Sequence, residues 1–366
     1  MMHIGIDYRP VSVAPFSGIG RQVKGLEAAL KARENTHVSL FAVVPHNHPL
    51  RTSVTCPDWN TPLAGLQQPH KRLRFEAGFL PGALVDNNVD VYIATFNMGL
   101  PIGRKSKKTR LVLLLHDLFQ LTEDNHHKSK LKASIYRVLD YLSIAWSVRV
   151  ADQILCPSKF TAEQVKNKFP SARKKLRVLP NLVSEFTAEL EPIEQLPQSY
   201  WLVVGTREPR KNIPLFIQVW LKLKAQISLP DLVLVGSSVD FPEYSNIAGI
   251  HWLSGITEGQ LHTVYRNAAT LWQPSYAEGF GLPVVEALSV GTPVVVAFGS
   301  SLDEITPASS PRFDPYSAED LERCMRNIAS HPLLKNKIEY KDWAEQFNYA
   351  AYQKNVHQLI SELLSE

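Results

Sequence analysis

Cysteine is scarce: the 366 residues hold three, Cys56, Cys156 and Cys324, far apart in the chain. So sparse and odd a set makes neither a disulfide framework nor a zinc knuckle, and it fits a reducing compartment. Long apolar runs are missing as well. The longest, Leu111–Leu115 and Pro293–Phe298, fall far short of the ~20 residues a membrane-spanning helix needs. The first residues already carry Asp7 and Arg9 and no hydrophobic stretch of signal-peptide type, so a secreted product is not expected. Internal repeats and low-complexity tracts are absent, which sets aside solenoids and propellers. What remains is ordinary globular material, 45% hydrophobic and 20% charged, long enough for two domains.

Charge is unevenly placed. Residues 1–183 carry 26 Lys and Arg against 13 Asp and Glu, whereas residues 184–366 carry 13 against 22. The asymmetry supports two domains and gives the first a preference for an anionic partner: nucleic acid, an anionic membrane surface or a phosphorylated substrate. No basic motif interleaved with aromatics is present, so a nucleic-acid partner is not expected.

Short apolar runs alternate with helical patterns along the chain. His3–Tyr8, His37–Val44, Val89–Ala94, Leu111–Leu115, Gln153–Pro157 and Leu176–Leu179 read as strands. Gly20–Ala32 and a stretch opened by Ser158 read as helices, as does Lys130–Asp152, with Leu131, Ile135, Leu139, Leu142 and Trp146 at helical spacing. Residues 184–199, rich in Glu and without either period, read as a linker. The alternation then restarts with strands at Trp201–Gly205, Asp231–Gly236, His251–Leu253, Thr270–Gln273 and Thr292–Phe298, and helices run from about Ser317 to the end. The fold class this implies is α/β, two doubly wound parallel-sheet domains facing a cleft. The boundaries are 1–184, a linker over 185–199, a second domain over 200–345, and a C-terminal helix over 346–366 expected to pack back on the first.

In such sheets ligands bind beyond the carboxyl ends of the strands, so the loops there carry the candidates. After the first strand, Ser17-Gly18-Ile19-Gly20-Arg21 enters a helix, and Gly18 and Gly20 let backbone amides approach an anion. Val23 stands at the third glycine position of a dinucleotide fingerprint, so a nicotinamide-dependent enzyme is disfavoured. His116-Asp117 follows Leu111–Leu115; it is either substrate contact or a capping pair. His46, His48, His126 and His127 lack the spacing of a metal site. Gly205-Thr206-Arg207-Glu208-Pro209-Arg210-Lys211-Asn212 sets two cations before a helix, where they are unfavourable unless an anion such as a diphosphate sits among them, or unless the turn is simply solvated. The strongest signal is Ser275-Tyr276-Ala277-Glu278-Gly279-Phe280-Gly281-Leu282-Pro283-Val284-Val285-Glu286. Pro283 fits the first helical position, and two carboxylates surround a nest of amides, a set suited to a polyol joined to a phosphate.

Glu278 and Glu286 form a Glu-x7-Glu motif. With GTREPRKN, LLHDL and SGIGR, the chain resembles the retaining glycosyltransferases of the family 4 type, which have two Rossmann-like domains in the GT-B architecture. The likeness runs from Gly18 to Glu304. It implies a nucleotide-diphosphate sugar held mainly by the C-terminal domain and a saccharide or lipid-linked acceptor held mainly by the N-terminal one. On that resemblance Arg210 and Lys211 hold the diphosphate beside Thr206. Glu278 and the backbone of Gly279, Phe280, Gly281 and Leu282 hold the donor sugar, Glu286 holds the ribose, His116 lies over the sugar, and Gly18 and Gly20 back the phosphates. Catalysis would rest on Glu278, His116, Arg210 and Lys211.

The resemblance also implies front-face transfer with retention. No Asp-x-Asp occurs in the chain, which agrees with metal-independent transfer, and no cofactor is implied, the nucleotide sugar being a substrate. Ala277 stands where a larger residue is common, and Leu182 where a glycine is common. The first loop and His116-Asp117 most resemble members that move mannose or a related hexose from GDP-mannose in surface polysaccharide or lipopolysaccharide synthesis. A UDP-sugar donor, or a non-catalytic nucleotide-sugar-binding protein, is the alternative. Two basic clusters, Arg104, Lys105, Lys107, Lys108 and Arg110, and Arg173–Lys175, suit docking on anionic lipid or a merely solvated loop. The location implied is cytoplasmic, peripheral on the inner face of the membrane.

Overall fold

A computed structural model describes residues 1–43, 54–56, 68–103, 108–122, 130–184, 186, 188–194, 196–335 and 337–365. Arg104, Lys105, Lys107 and the histidines at 46, 48, 126 and 127 lie outside these residues. The chain divides into two units: Met1–Leu182 with Tyr349–Glu366, and Val183–Asn348.

Among the described residues the first unit has seven strands: β1 (Met2–Asp7), β2 (Thr36–Ala42), β3 (Val54–Thr55), β4 (Val91–Ala94), β5 (Arg110–Leu114), β6 (Gln153–Cys156) and β7 (Leu176–Val178). Every pairing is parallel and the order is β3-β2-β1-β4-β5-β6-β7. Apolar residues fill both faces of each central strand. On β4, Val91 and Ile93 join Ile4, Ile6 and Val112 on one side, while Tyr92 and Ala94 join Phe41, Leu111 and Leu113 on the other. A strand buried on both faces reads as a continuous apolar run, which is why the sequence marks these strands without alternation. The two-residue strand β3 has no such run and left no mark.

The C-terminal helix Tyr349–Ser365 belongs to this unit. Tyr352, Val356, Leu359, Ile360 and Leu363 enter the same core as Val23, Leu26 and Leu30 of the helix Gly18–Lys31. His357 Nε2 lies 2.8 Å from the Ala29 carbonyl.

The second unit has β8 (Tyr200–Val204), β9 (Asp231–Val235), β10 (Ile250–Leu253), β11 (Thr270–Gln273), β12 (Val294–Ala297) and β13 (Arg312–Phe313), all parallel, in the order β10-β9-β8-β11-β12-β13. Trp201, Trp272 and Val295 face one cluster, and Tyr200, Leu271 and Val296 face the other. Each buried aliphatic side chain of this kind stabilises by roughly 1.5–3 kcal/mol.

The segment with the composition of a linker is part of this unit. Phe186 stacks on His262 at 4.7 Å, and the Glu191 carbonyl and carboxylate accept from Thr263 and Thr257. Ile193 and Leu196 pack on the core. These anchors come one residue at a time, so no period announces them.

In each sheet the order reverses at one point, between β1 and β4 and between β8 and β11. A crevice opens beyond the carboxyl ends of strands at such a reversal.

Candidate active site

In the second unit the reversal brings together two loops more than sixty residues apart in sequence. The loop after β8 carries Thr206 to Asn212 and that after β11 carries Pro274 to Gly281. They are stitched by the Tyr276 amide donating to the Arg210 carbonyl at 2.8 Å.

Glu278 lies at the centre, 4% exposed. Its Oε1 accepts from Lys211 Nζ at 2.7 Å, Ser275 Oγ at 2.7 Å and Gln273 Nε2 at 2.9 Å. Its Oε2 accepts from Arg210 Nη1, which also donates to the Ala277 carbonyl at 3.1 Å. Burial by itself would raise the Glu278 pKa. The charges of Lys211 and then Arg210, with the hydrogen bonds from Lys211 and Ser275, outweigh it and hold the group at about 2. Glu278 is therefore a fixed anion that clasps two cations. Its Oε2 keeps lone-pair capacity for a hydroxyl donor.

Lys211 is 9% exposed, and among the described residues its ammonium donates to Glu278 alone. Two of its three donors have no protein acceptor there. Arg210 is also paired with the exposed Glu208. Asn212, at φ 57°, turns the chain into the helix Ile213–Lys224, and its side-chain amide is tied to the Pro315 carbonyl at 2.9 Å. Thr206 is buried, and its Oγ1 has no hydrogen-bond partner among the described residues.

Gly281 begins the helix Leu282–Ser289 at φ 106°. A Cβ there would meet Leu302 Cδ2 at 2.7 Å, so only glycine fits. The helix starts at Leu282, one residue before Pro283. Phe280 puts its side chain into the core against Phe347, and its carbonyl and that of Glu278 accept from Ser301 Oγ. What Phe280 offers a ligand is backbone. Glu286 is buried one turn further on, with its Oε2 taking the Tyr265 hydroxyl at 2.7 Å.

The other expected residues lie in the first unit. His116 follows β5. Its amide donates to Asn97 Oδ1 at 2.7 Å, and its Nε2 is 3.0 Å from the Thr95 carbonyl. Burial holds the imidazole below its ordinary pKa, against the opposing Thr95 hydrogen bond and Asp117 charge. With Nε2–H donating to a carbonyl, the neutral ring presents Nδ1 as an acceptor. Asp117 caps the next turn through the Phe119 amide at 3.1 Å. Ser17 caps the helix Gly18–Lys31 and takes the Gly20 amide at 3.0 Å. A Cβ at Gly20 would come 2.4 Å from the Ala14 carbonyl. Gly20 is thus required by close packing, and its amide already has an acceptor. Leu182 is accommodated by Gly25, where a Cβ would lie 2.5 Å from Leu182 Cδ2.

Sequence reasoning passed over a buried ionic cluster beside the first reversal. Arg9 Nη2 lies 2.6 Å from Asp7 and 3.4 Å from Glu76, and its guanidinium stacks 4.1 Å from the Phe75 ring centroid. Buried charges in and just after an apolar strand were the available signal. Near this cluster a cavity of about 280 Å³ is lined by Arg9, Ile19, Arg72, Phe96, Gln120 and Tyr136 among others. Gln273, which orients Glu278, was also missed, although a glutamine closing the apolar strand β11 is itself a clue; Ser275 was part of the motif, without its role toward Glu278.

Two family models match the chain: Glycosyltransferase Family 4 over residues 16–185 and Glycosyl transferases group 1 over residues 190–348. This chain belongs to the family 4 type of glycosyltransferases. Its two parallel-sheet units have the GT-B architecture. Sucrose-phosphate synthase from Thermosynechococcus elongatus shares the fold, with a TM-score of 0.77 at 19% identity over 100% of both chains. Among relatives of this glycosyltransferase, the O-antigen chain mannosyltransferase B of Escherichia coli is 29% identical over 56% of the chain. The O-antigen chain mannosyltransferase RfbU of Salmonella typhimurium is 22% identical over 63%. The matched regions span 58% and 65% of the lengths of those two relatives.

Proposed function

We propose that this glycosyltransferase moves a hexose, mannose or a related sugar, from a nucleotide-diphosphate sugar to a saccharide or lipid-linked acceptor in cell-surface polysaccharide or lipopolysaccharide assembly. The relatives named as O-antigen mannosyltransferases support the sugar and the setting. The observation that carries the chemistry is Lys211: a buried ammonium with two donors that find no acceptor among the described residues, held beside Arg210 by the carboxylate of Glu278. A diphosphate satisfies both cations. The amides of Gly279, Phe280, Gly281 and Leu282 and the start of the following helix favour the same negative charge.

In the reaction the bond between sugar C1 and the diphosphate oxygen breaks, and that oxygen gains charge. The acceptor hydroxyl oxygen bonds to C1 on the same face, and its proton passes to the leaving phosphate, so the anomeric configuration is retained. Arg210 and Lys211 oppose the charge as it develops, and removing one such donor costs about 10²–10³ in rate. Glu278 holds both cations and offers Oε2 to a sugar hydroxyl. Glu286, oriented by Tyr265, accepts from the ribose. His116, in the first unit, keeps Nδ1 as an acceptor for a hydroxyl. Thr206 adds a buried hydroxyl on the same loop as Arg210 and Lys211. Metal-independent transfer is part of the proposal, because fixed cations supply the counter-charge.

GDP-mannose is the first donor and a UDP-sugar the second. Transfer assays with GDP-mannose, UDP-glucose and UDP-N-acetylglucosamine, with and without chelator, test this, and the product anomer is read by NMR. The expected result is chelator-insensitive, retaining turnover with GDP-mannose. Turnover only with a UDP-sugar moves the donor assignment. Nucleotide binding without turnover on any donor supports the non-catalytic alternative. Unchanged turnover in Arg210→Gln/Lys211→Met overturns the site.

A further inference from the structure

Helices cover both faces of the second sheet. Phe216, Ile217 and Trp220 of the helix Ile213–Lys224 enter one core cluster with Leu321 and Met325 of the helix Ala318–Ser330. Val284, Val285 and Leu288 of the helix Leu282–Ser289 enter the other. Glu286, assigned above to the ribose, belongs to that second layer. Two tyrosines meet on the side of the first layer, at the carboxyl edge of the sheet. Tyr276 lies in the loop after β11 and Tyr316 in the loop after β13. Their rings stack with centroids 4.9 Å apart and planes 25° apart.

Tyr316 is 76% exposed, so Tyr276 lies against one face of its ring and the other face is open. Exposed aromatic residues are ordinary, but this one is held in place. The Tyr316 amide donates to Asp314 Oδ1 at 2.9 Å, and the Asp314 amide to Asp320 Oδ2 at 2.7 Å. Ser317 then caps the helix Ala318–Ser330 by accepting from the Asp320 amide at 3.1 Å. Both tyrosine loops are also tied to the neighbours of Lys211. The Tyr276 amide donates to the Arg210 carbonyl, and the Asn212 side-chain amide to the Pro315 carbonyl. The cost of ordering an open aromatic face beside the two cations has thus been met in folding, which is what a ligand site needs.

The surroundings select the ligand. Tyr276 adjoins Arg210, which is paired on its outer side with the half-exposed Glu208. The π face is negative, and the C–H bonds on one face of a pyranose ring are weakly positive. A carboxylate at the edge of that face accepts from ring hydroxyls. An inorganic anion gains nothing from the aromatic face. A nucleoside whose ribose is taken by Glu286 lies toward the opposite helix layer.

We propose that Tyr316, backed by Tyr276, is a stacking subsite in the second unit for a pyranose ring of the acceptor saccharide, with Glu208 at its edge taking a hydroxyl. The proposal rests on the transferase reading and on the acceptor class given above.

The test is saturation-transfer difference NMR on the full chain, without donor, using disaccharides of mannose, glucose, galactose and N-acetylglucosamine. Mannitol, which has the hydroxyls of a hexose but no ring face, is the comparison. At least one disaccharide should bind, with the strongest signals from C–H protons on one face of a ring, and mannitol should not. Tyr316→Ala should weaken that binding by about five- to tenfold, and Tyr316→Trp should keep it. Tyr316→Leu keeps apolar bulk over Tyr276 without a π face; it should lose binding as Tyr316→Ala does, and it covers the case in which the smaller variant melts early. Affinities for GDP and UDP, measured by calorimetry, should be the same in parent and variants. The proposal is overturned if the parent binds no disaccharide, if mannitol binds equally, if both folded variants bind as the parent does, or if nucleotide affinity falls with the ring. No transfer is measured, so such a failure leaves the transferase reading standing, whereas lack of turnover on every donor fails that reading.

Discussion

Lys211 Nζ sits 2.7 Å from Glu278 Oε1, and both side chains are buried. The two residues come from loops on neighbouring strands, so the sheet order itself creates the pair. Neither partner is tolerable alone at that depth, because a buried charge without its counter-ion costs several kcal/mol. The first prediction follows from this. Glu278→Ala should destabilise the second unit by about 3–5 kcal/mol. Glu278→Gln keeps the shape and should cost less in stability while still lowering kcat/KM by about 10² or more. Denaturant melts of both variants beside initial-rate assays check the two halves of the statement.

A pH dependence follows from the same group. The Glu278 pKa is depressed to about 2 in the folded chain, below its value when unfolded. The unfolded state therefore binds the proton first as pH falls. The stabilisation is fully present above the unfolded carboxylate range and is lost as pH drops from about 4.5 toward 2, by up to about 3 kcal/mol. Unfolding of the second unit followed between pH 5 and pH 2 should show this slope, and Glu278→Gln should flatten it.

Arg9 is the only counter-charge touching Asp7 in the first unit among the described hydrogen bonds, and it also reaches Glu76. Burial pushes the Glu76 carboxyl up, with Arg9 and Arg72 pulling against it. Arg9→Ala should remove about 3–5 kcal/mol from the first unit, since two carboxylates are left buried. Arg9→Ala/Asp7→Asn should recover part of that loss. Urea unfolding of the three chains gives the comparison.

Two glycines should respond in opposite ways to one added methyl group. Gly20→Ala sets a Cβ 2.4 Å from the Ala14 carbonyl, a backbone atom that cannot swing away, and should cost about 1–3 kcal/mol. Gly82 lies in the helix Leu80–Asp86, and a Cβ added there would meet nothing within 4 Å, so Gly82→Ala should gain about 0.5–1 kcal/mol. Calorimetric midpoints of the two variants should move apart.

Much of this molecule is legible in the order of its residues. Strands buried on both faces carry unbroken apolar runs, so β1, β4, β5, β8, β11 and β12 could be placed from sequence. Ser17, Ser158 and Ser317 cap the helices they precede. Arg210 and Lys211 were visible because cations before a helix start are unfavourable unless an anion sits among them, and Glu278 and Glu286 because two carboxylates flank a nest of amides. Less legible was the segment 184–199, whose anchors are scattered singly along it.

The amino-acid order by itself determined the α/β class, the parallel sheets and the identity of the charged residues, because these follow from local pattern and from chemistry that a few neighbouring positions express. Only the tertiary structure decided that Glu278 clasps two cations, one on each carboxylate oxygen, and that Gly20 is needed for packing. Those outcomes depend on which strands lie side by side and on what covers each helix face. Such relations join residues far apart in the chain, and burial, which sets the strength of every charge interaction, is a property of the assembled unit.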